Sequence, residues 1–399
     1  MSEPTDPVLI RHLTPRNFLS FGPDNAGIEL HALNLLIGPN GSGKSNLIEA
    51  VSLMRSAPKE MRDVTRMGGG VAEWIWEGSP KDAASVEWVV RNPSNSIPLR
   101  HVVAFRAAGQ AFSLDDERVE NEHKQPGSHS DVYFYYRYQH GRPTVNTREN
   151  GQRSLAQESI EADRSILAQR RDPETYPELA WLAQNYDRMR IYREWAFGRN
   201  AVFREPQKAD MRNDVLEEDF ANLGLFLNRL QTRFPAAKRA ILEGLKDLYD
   251  GIQDFNVFID GGTVQVFFTE GDFSVPATRL SDGTLRYLCL LAILCDPEPP
   301  PLICIEEPEL GLHPDILPKV ADLLRAASER TQLIVTTHSD ILVDAMTETP
   351  DAVIVCSKQQ GQTTMERLNP DDLGEWLKKY RLGQLWTKGE IGGTRWCRE

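Results

Sequence analysis

The fold is decided by one stretch near the start of the chain, Leu33-Asn34-Leu35-Leu36-Ile37-Gly38-Pro39-Asn40-Gly41-Ser42-Gly43-Lys44-Ser45. Its first five residues are mostly apolar and predict a buried strand. Apolar residues recur at helical spacing from Asn46 to Met54, which predicts a helix there. The glycines between these two elements therefore lie in a loop that leads from a buried strand into a helix N-terminus.

A loop of this composition is suited to binding phosphate. Its glycines let the backbone wrap with the amide N–H groups pointing inward, beside the positive end of the following helix. The spacing Gly-x-x-x-x-Gly-Lys-Ser predicts that Lys44 contacts the β- and γ-phosphates of a nucleotide and that the Ser45 hydroxyl binds Mg²⁺. The residues expected to hold the nucleotide are Asn40, Gly41, Ser42, Gly43, Lys44, Ser45 and Asn46.

A second buried strand, predicted over Pro301–Ile305, ends in two adjacent carboxylates, Glu306 and Glu307. Acids at the carboxyl edge of a parallel sheet are placed to meet a ligand that the glycine loop holds. Neighbouring side chains of a strand point to opposite faces, so the two acids are expected to do different work. We assign Glu306 to the outer shell of Mg²⁺ and Glu307 to the polarisation of an attacking water. The alternative is a solvated strand end.

Two more segments add candidate residues. In Leu280-Ser281-Asp282-Gly283-Thr284-Leu285-Arg286, Ser281 is placed to cap a helix that runs to Leu294, and this helix end could meet an anion. A buried strand over Gln332–Thr337 delivers His338 to the same sheet edge, and a helix is predicted between, over Ile316–Ala327. Taken alone, the two segments also fit a plain helix cap and a structural histidine.

In this order, the four segments resemble the ABC-type ATPases, whose signature reads Leu-Ser-Gly-Gly-Gln. The signature segment of this chain, Leu280–Arg286, keeps Leu280, Ser281 and Gly283 but carries Asp282 and Thr284. The resemblance implies an α/β P-loop NTPase fold with an ABC-ATPase head, and ATP and Mg²⁺ as cofactors.

The resemblance also implies how the site is completed. A histidine at the place of His338 senses the γ-phosphate, and acts with Glu307 in catalysis. Ser281, Asp282 and Gly283 would contact the γ-phosphate that a second copy holds, so two heads would sandwich two nucleotides. Asp282 brings an extra carboxylate close to that phosphate. The segment Glu309–Pro314 takes the place of the loop that crosses the dimer interface, where His313 is either an interface residue or a plain helix-start residue.

Three motifs are similar to the SMC, RecF and OLD branch of these ATPases: Asn-Phe-x-Ser-Phe at 17–21, the glycine loop through Asn46, and Glu-Glu-Pro-Glu-x-Gly-Leu-His-Pro at 306–314. The stretch Tyr380–Gly389, with Gly392 and Gly393, resembles stand-alone bacterial AAA-type ATPases, many of which accompany anti-phage defence modules. Members of the branch often have a basic residue after the first phenylalanine of the motif at 17–21, where this chain has Leu19. The glutamine of the usual second loop has three equivalent candidates, Gln157, Gln169 and Gln184.

The spacing of apolar residues and turn residues along the chain predicts five regions. Residues 1–70 are expected to form the N-terminal half of the ATPase core, 71–152 an antiparallel β layer, 153–250 an inserted helical lobe, 251–360 the C-terminal half of the core, and 361–399 an extension. Strands are also predicted over Val8–Ile10, Phe18–Phe21 and Gly27–Leu30. Turns are predicted at His140-Gly141 and Asp260-Gly261-Gly262.

The composition of the chain bears on whether it binds nucleic acid or a membrane and on where it is located. A net charge of −13 disfavours general nucleic-acid binding, although a local groove is an alternative to a solvated helical surface in the arginine-rich middle. No apolar run is long enough for a bilayer, the first residues lack a secretory pattern, and five scattered cysteines are expected to be reduced core residues, so we expect a cytoplasmic protein. The arginines of the middle are Arg164, Arg170, Arg171, Arg188, Arg190, Arg193, Arg199 and Arg204.

Three functional hypotheses follow. The first is a Mg²⁺-dependent ATPase that forms a head-to-head homodimer on ATP and regulates a partner effector, a nuclease or toxin of anti-phage defence. Too few residues follow His338 for a metal-dependent nuclease domain of the OLD kind, so a nuclease is expected on a separate chain. The second hypothesis is a RecF-like ATPase of DNA repair or DNA sensing. The third is a non-catalytic scaffold gated by the nucleotide.

Overall fold

The computed structural model describes residues 6–124, 131–139, 142–149, 152–156, 161, 163–195, 198, 201 and 204–394. The strands are β1 (Ile10–Arg16), β2 (Ile28–Glu29), β3 (Leu33–Ile37), β4 (Ala84–Val90), β5 (Leu99–Ala108), β6 (Ala111–Asn121), β7 (Phe134–Gln139), β8 (Arg142–Glu149), β9 (Gln152–Ala156), β10 (Arg190–Tyr192), β11 (Gln207–Lys208), β12 (Ile252–Asp260), β13 (Thr263–Glu270), β14 (Phe273–Pro276), β15 (Leu302–Glu306), β16 (Gln332–Thr336), β17 (Val353–Gln359) and β18 (Gln362–Arg367). The α-helices are α1 (Lys44–Ser56), α2 (Met61–Met67), α3 (Ile166–Gln169), α4 (Pro177–Arg188), α5 (Leu223–Arg233), α6 (Pro235–Leu248), α7 (Asp282–Leu294), α8 (Leu317–Ser328), α9 (Asp340–Asp344), α10 (Pro370–Leu377) and α11 (Leu382–Thr387).

A six-stranded sheet carries the predicted motifs. Its order is β10-β15-β16-β3-β17-β18, and all neighbours are parallel except β17 and β18. The strands β3 and β16 are buried along their whole length, because both faces of the sheet are covered. Alternate residues enter two different cores: Leu35 and Ile37 face the first, with α5 to α8, while Leu36 faces the second, with α1. The expected α/β core is confirmed.

An eight-stranded antiparallel sheet covers the α1 side, in the order β2-β1-β4-β5-β6-β7-β8-β9. The alternating apolar residues of β4 and β5 face the second core, where α3 and α4 also pack. Trp88 of β4 is fully buried, and its ring meets the ring of Tyr186 of α4 edge-on at 4.9 Å. The predicted antiparallel layer is therefore present, and it also includes β1 and β2 from the start of the chain.

A smaller antiparallel sheet, β11-β13-β12 with β14 on β13, packs with α5 and α6 in the first core. The predicted hairpin joins β12 to β13: Asp260 pairs with Thr263, and Gly261 and Gly262 form the two-residue loop with φ of 54° and 79°. Positive φ at both loop residues is what a type I′ turn requires. The helices of residues 153–250 thus divide between the two cores, and the division of the chain into domains stays a prediction.

The predicted strand Phe18–Phe21 is wrong. These residues form a tight turn, in which the Phe18 N–H donates to the Phe21 carbonyl at 3.0 Å and the Phe21 N–H donates to the Phe18 carbonyl at 2.8 Å. Leu19 has a φ of 50°, and both phenylalanine rings are buried. The segment is rich in apolar and aromatic residues, as strands often are, but residues three positions apart on a strand would point to opposite faces, and here a turn directs both phenylalanine rings into the second core.

Two smaller expectations about strand boundaries also changed. The strand predicted over Val8–Ile10 starts only at its last residue, as β1, and the one over Gly27–Leu30 shortens to β2. The turn at His140-Gly141 lies outside the described residues, as does the fifth cysteine. The other four cysteines are free, and three of them are buried. No helix in the described part of the chain is both long and apolar enough to span a bilayer.

Candidate functional site

The glycine loop connects β3 to α1 as predicted. Gly38, Gly41 and Gly43 have φ of 147°, 80° and 98°, a region of backbone conformation that favours glycine. At Gly43 a side chain is also excluded by contact, because a β-carbon there would lie 2.1 Å from the Thr363 hydroxyl. The helix α1 begins at Lys44, so the last glycine of the loop directly precedes the helix N-terminus. This geometry presents backbone N–H groups and the helix dipole to an anion.

Lys44 is buried inside this loop. Its ammonium donates to the carbonyls of Gly38 at 2.8 Å and Pro39 at 3.1 Å. Burial lowers the pKa of Lys44, while the carboxylates of Glu307 and Glu306 oppose that shift. Two neutral carbonyls are weaker partners for a cation than phosphate oxygens, so an entering phosphate would offer Lys44 a better acceptor.

Glu306 lies beside Ser45. The Ser45 hydroxyl donates to Glu306 Oε2 at 3.0 Å, and burial raises the pKa of Glu306 although Arg193 and this hydrogen bond oppose the shift. Within the described ranges, no cluster of three or more His, Cys, Asp or Glu could hold a metal ion by itself. A hydroxyl and a carboxylate fit Mg²⁺ that arrives with nucleotide phosphates, because Mg²⁺ keeps waters and takes few protein ligands. Ser45 and Glu306 would hold it.

Glu307 lies in different surroundings from Glu306. Its backbone has a φ of 48°, and its N–H donates to the Thr336 carbonyl at 3.0 Å, which fixes the strained residue across the β15–β16 edge. The carboxylate lies 3.6 Å from His338 Nε2. Burial and, next, Lys44 lower the pKa of His338, while Glu307 opposes them. The lowered pKa favours the neutral imidazole, which has one N–H to donate.

Lys44, Ser45, Glu307 and His338 line one cleft over the glycine loop. Glu306 and the buried Ser42 lie next to the cleft rather than in its lining, and the predicted residues of the signature segment are not part of it. The residues that line the cleft are Asn40, Gly41, Gly43, Lys44, Ser45, Asn46, Glu307 and His338.

The signature segment forms the start of α7. Ser281 caps the helix as predicted, since its hydroxyl accepts from the Thr284 N–H at 3.1 Å. The side chains of Ser281 and Asp282 are exposed. The segment adjoins the loop Glu309–Pro314: Arg286 donates to the Leu310 carbonyl, and a β-carbon at position 283 would lie 3.0 Å from the Gly311 carbonyl oxygen. The two segments thus share one surface.

Two residues of the loop Glu309–Pro314 differ in their setting. His313 is exposed and caps the short turn Pro314–Ile316, as a helix-start residue would. Glu309 points inward: its Oε1 accepts from the Thr337 hydroxyl at 2.8 Å and from the His338 N–H at 2.7 Å. Burial raises the pKa of Glu309, and the hydrogen bond from His338 opposes this. Sequence reasoning gave Glu309 no role, yet it connects this loop to His338.

The loop after β10 places an arginine at the Glu306 edge. Arg193 donates to Glu49 Oε1 at 2.5 Å, and its Nε lies 3.4 Å from Glu306 Oε1. The Trp195 indole N–H donates to the Glu306 carbonyl at 2.7 Å. None of the glutamine candidates for the second loop is brought here. Gln169 bonds to Glu161, Arg164 and Ser165, Gln184 is exposed on α4, and Gln157 lies outside the described residues.

Most of the arginines in the middle of the chain are engaged within the protein. Arg164 pairs with Glu60, and Arg204 pairs with Asp282. Arg170, Arg171 and Arg190 donate to backbone carbonyls. These internal contacts favour the solvated surface of mixed charge over a basic groove.

A parallel sheet that carries a glycine loop, paired acids and a histidine, with a capped signature helix packed against it, is the fold of an ABC-type ATPase head. Two solved structures share this fold. The Smc head bound to the C-winged helix domain of ScpA has 16% identity and a TM-score of 0.59, covering 91% of this chain and 99% of that chain. The Smc head with an extended coiled coil, bound to the C-terminal domain of ScpA from Pyrococcus furiosus, has 15% identity and a TM-score of 0.55, covering 93% and 99%.

The family follows from the sequence match. Residues 33–344 match the family described as "AAA domain, putative AbiEii toxin, Type IV TA system", and the chain belongs to this family. The match runs from the strand before the glycine loop to the helix after His338. No curated protein matches the chain. The protein is thus a member of this AAA-domain family with the fold of the Smc heads.

Proposed function

We propose that this protein hydrolyses MgATP and that ATP joins two copies of it head to head. In this proposal Lys44 and the loop amides bind the phosphates, and Ser45 and Glu306 hold Mg²⁺. Glu307 orients and polarises the attacking water, and the neutral His338 donates to the γ-phosphate. The arrangement that supports these roles is the single cleft over the loop, which brings Lys44, Ser45, Glu307 and His338 together.

The separation of the cleft from the signature segment supports the dimer. Ser281 and Gly283 do not line the cleft of their own chain. The helix start that carries them is exposed, next to Leu310, whose side chain is 47% exposed on the neighbouring loop. The N-terminus of a capped helix presents backbone N–H groups that suit an anion. The γ-phosphate of the ATP bound in the cleft of a second copy would be that anion. Two clefts and two signature segments would then complete each other.

Sedimentation velocity tests the dimer. With Mg²⁺ and a non-hydrolysable ATP analogue, the protein is expected to sediment as a dimer, and with ADP as a monomer, because only a triphosphate reaches the opposite signature segment. Calorimetry under the same conditions confirms that the analogue is bound. A protein that binds the analogue yet stays monomeric across the accessible concentration range would contradict the head-to-head dimer.

Glu309 provides a test of the histidine's role. Glu309→Ala removes the acceptor that holds the His338 backbone and the Thr337 hydroxyl, so kcat is expected to fall about 10- to 100-fold, as for other groups that orient a catalytic side chain. Glu309→Gln keeps an oxygen acceptor of the same shape and is expected to retain most of the activity. Steady-state hydrolysis measures both. Equal activity of Glu309→Ala and wild type would show that this contact does not position His338.

We further propose that the dimer cycle controls an effector on a separate chain, a nuclease or toxin of anti-phage defence. The family description names a putative toxin and a type IV toxin–antitoxin system, which supports a role in a system of this kind. The two similar Smc heads were solved with a ScpA domain bound, which supports an ATPase head that carries a second protein. Reading frames next to the gene identify the candidate effector.

A further inference from the structure

The signature segment is held by an arginine that sequence reasoning did not place there. Arg204 donates to the Thr278 carbonyl at 2.6 Å, to the Leu280 carbonyl at 3.1 Å, and to Asp282 Oδ1 at 2.5 Å. The Arg204 side chain is 12% exposed, while that of Asp282 is 54% exposed. One half-buried cation therefore fixes the backbone before the helix and pairs with the acid in the first turn.

Asp282 creates a difficulty for the proposed dimer. A carboxylate in the first turn of a helix is favourable for the helix itself, because it opposes the positive end of the dipole. A triphosphate bound by a second copy, however, would approach this same end, and like charges at such a contact are repelled. Another nearby cation, Arg286, is engaged with the Leu310 and Trp195 carbonyls. Arg204 is the cation that the structure bonds to Asp282.

We propose that Arg204 is a positioning residue that neutralises Asp282 and fixes the signature segment for the γ-phosphate of the partner's ATP. This inference rests on the head-to-head dimer proposed above. A glycine at position 282, as in the usual signature, would bring no charge to this contact. Here the positive charge of Arg204 cancels the negative charge of Asp282 instead. The two hydrogen bonds from Arg204 to the Thr278 and Leu280 carbonyls hold Ser281 and Gly283 at the surface. Arg204 and Asp282 thus act as one unit, in which the charge of Asp282 is tolerated at the dimer contact only because Arg204 neutralises it.

The experiment compares four variants by the dimer dissociation constant with Mg²⁺ and a non-hydrolysable ATP analogue. Arg204→Gln removes the charge and is expected to weaken the dimer about tenfold at low salt, the size of one uncompensated charge contact near a surface. Because the repulsion is screened, the loss is expected to shrink as salt rises. Arg204→Lys keeps the charge and should dimerise nearly as wild type.

The other two variants separate charge from shape. Arg204→Gln combined with Asp282→Asn is expected to recover most of the dimer, since no charge remains to be compensated. Asp282→Asn alone keeps Arg204 and is expected to dimerise at least as tightly as wild type. Binding of the analogue to the isolated monomer should be unchanged in all four variants, because the segment lies outside the cleft.

Several outcomes would overturn the inference. Arg204→Gln that dimerises as tightly as wild type would show that the pair has no role, and a double variant as weak as Arg204→Gln would show that Arg204 only holds the carbonyls. If Arg204→Gln does not fold, Asp282→Asn decides, and a weaker dimer for that variant contradicts the charge argument. Wild type that binds the analogue without dimerising removes the proposed dimer itself, a result distinct from a failure of Arg204 alone.

Discussion

Lys44→Ala is expected to abolish ATP binding at concentrations where wild type is saturated. Lys44 is the cation buried in the loop, and with phosphate bound its ammonium would exchange two carbonyl acceptors for charged oxygens. Hydrogen bonds to charged groups are worth about 1.5–3 kcal/mol each, so losing two of them lowers affinity by about 100-fold or more. Calorimetric titration with MgATP measures the change, and ATP hydrolysis should be lost with it.

Lys378→Ala is the matched control for this prediction. Its side chain is 68% exposed and pairs with Glu375 on α10, a contact of about 0.3 kcal/mol, so neither ATP binding nor stability should change. Thermal unfolding of both variants checks that the fold is intact. If the defence role is correct, cells carrying the protein and its neighbouring effector gene should lose plaque reduction with Lys44→Ala and keep it with Lys378→Ala. Wild-type ATP affinity in Lys44→Ala would contradict the binding role of the loop.

The elements that carry the site were predictable because their signals are local. The strand β3 and the glycines after it occupy adjacent positions in sequence, and β15 reads as an apolar run ended by acids. The start of α7 at Asp282 follows from a capping serine, which the structure shows with its cap hydrogen bond. Where the chemistry of a site is written in consecutive residues, sequence alone places it.

The parts that sequence did not reveal depend on contacts between distant residues. β10 has only three residues and no apolar run, so its place beside β15, which brings Arg193 to Glu306, has no local signature. Arg204 meets Asp282 across a long separation in sequence. Charged residues are common on surfaces, and the spacing of the arginines in the sequence gave no reason to select Arg193 and Arg204 from the others.

The support of the glycine loop illustrates the same limit. The hydroxyl of Thr363, the second residue of β18, donates to the Ser42 carbonyl at 3.0 Å and bonds to the Ser20 hydroxyl at 2.6 Å. Ser20 in turn accepts from the Asn46 side chain at 2.6 Å. The turn misread as a strand is thus what carries Ser20 to the loop. Tertiary contacts, and not local propensity, decided its conformation.

Glu307→Gln is expected to lower the ATP turnover number by about 100- to 1,000-fold, within the range that general acid–base groups contribute. The amide keeps the shape of the side chain but carries no negative charge to attract and polarise the proton of the attacking water. Glu307 lines the cleft beside His338, the residue that would donate to the γ-phosphate, so its carboxylate would lie close to the attacking water. ATP affinity should be retained, because the loop and Lys44 are untouched.

The same variant should accumulate the dimer in the presence of ATP itself. If hydrolysis is the step that separates the heads, a protein that binds ATP but does not cleave it remains in the state that ATP favours. Sedimentation velocity with MgATP, in place of the analogue, is the measurement. Wild type is expected to return to monomer as ATP is consumed, whereas Glu307→Gln should stay dimeric.

Glu309→Gln is the control for this last prediction, because it makes the same chemical change two residues away. Its amide oxygen can still accept the hydrogen bonds from Thr337 and His338, so it should turn over ATP and leave the dimer transient. A Glu307→Gln protein with the wild-type rate would move the catalytic role to another group, with Glu306 as the next candidate carboxylate. If product release limits the steady-state rate, a slower chemical step could leave that rate unchanged. A single-turnover measurement tests for this, because its rate does not depend on product release.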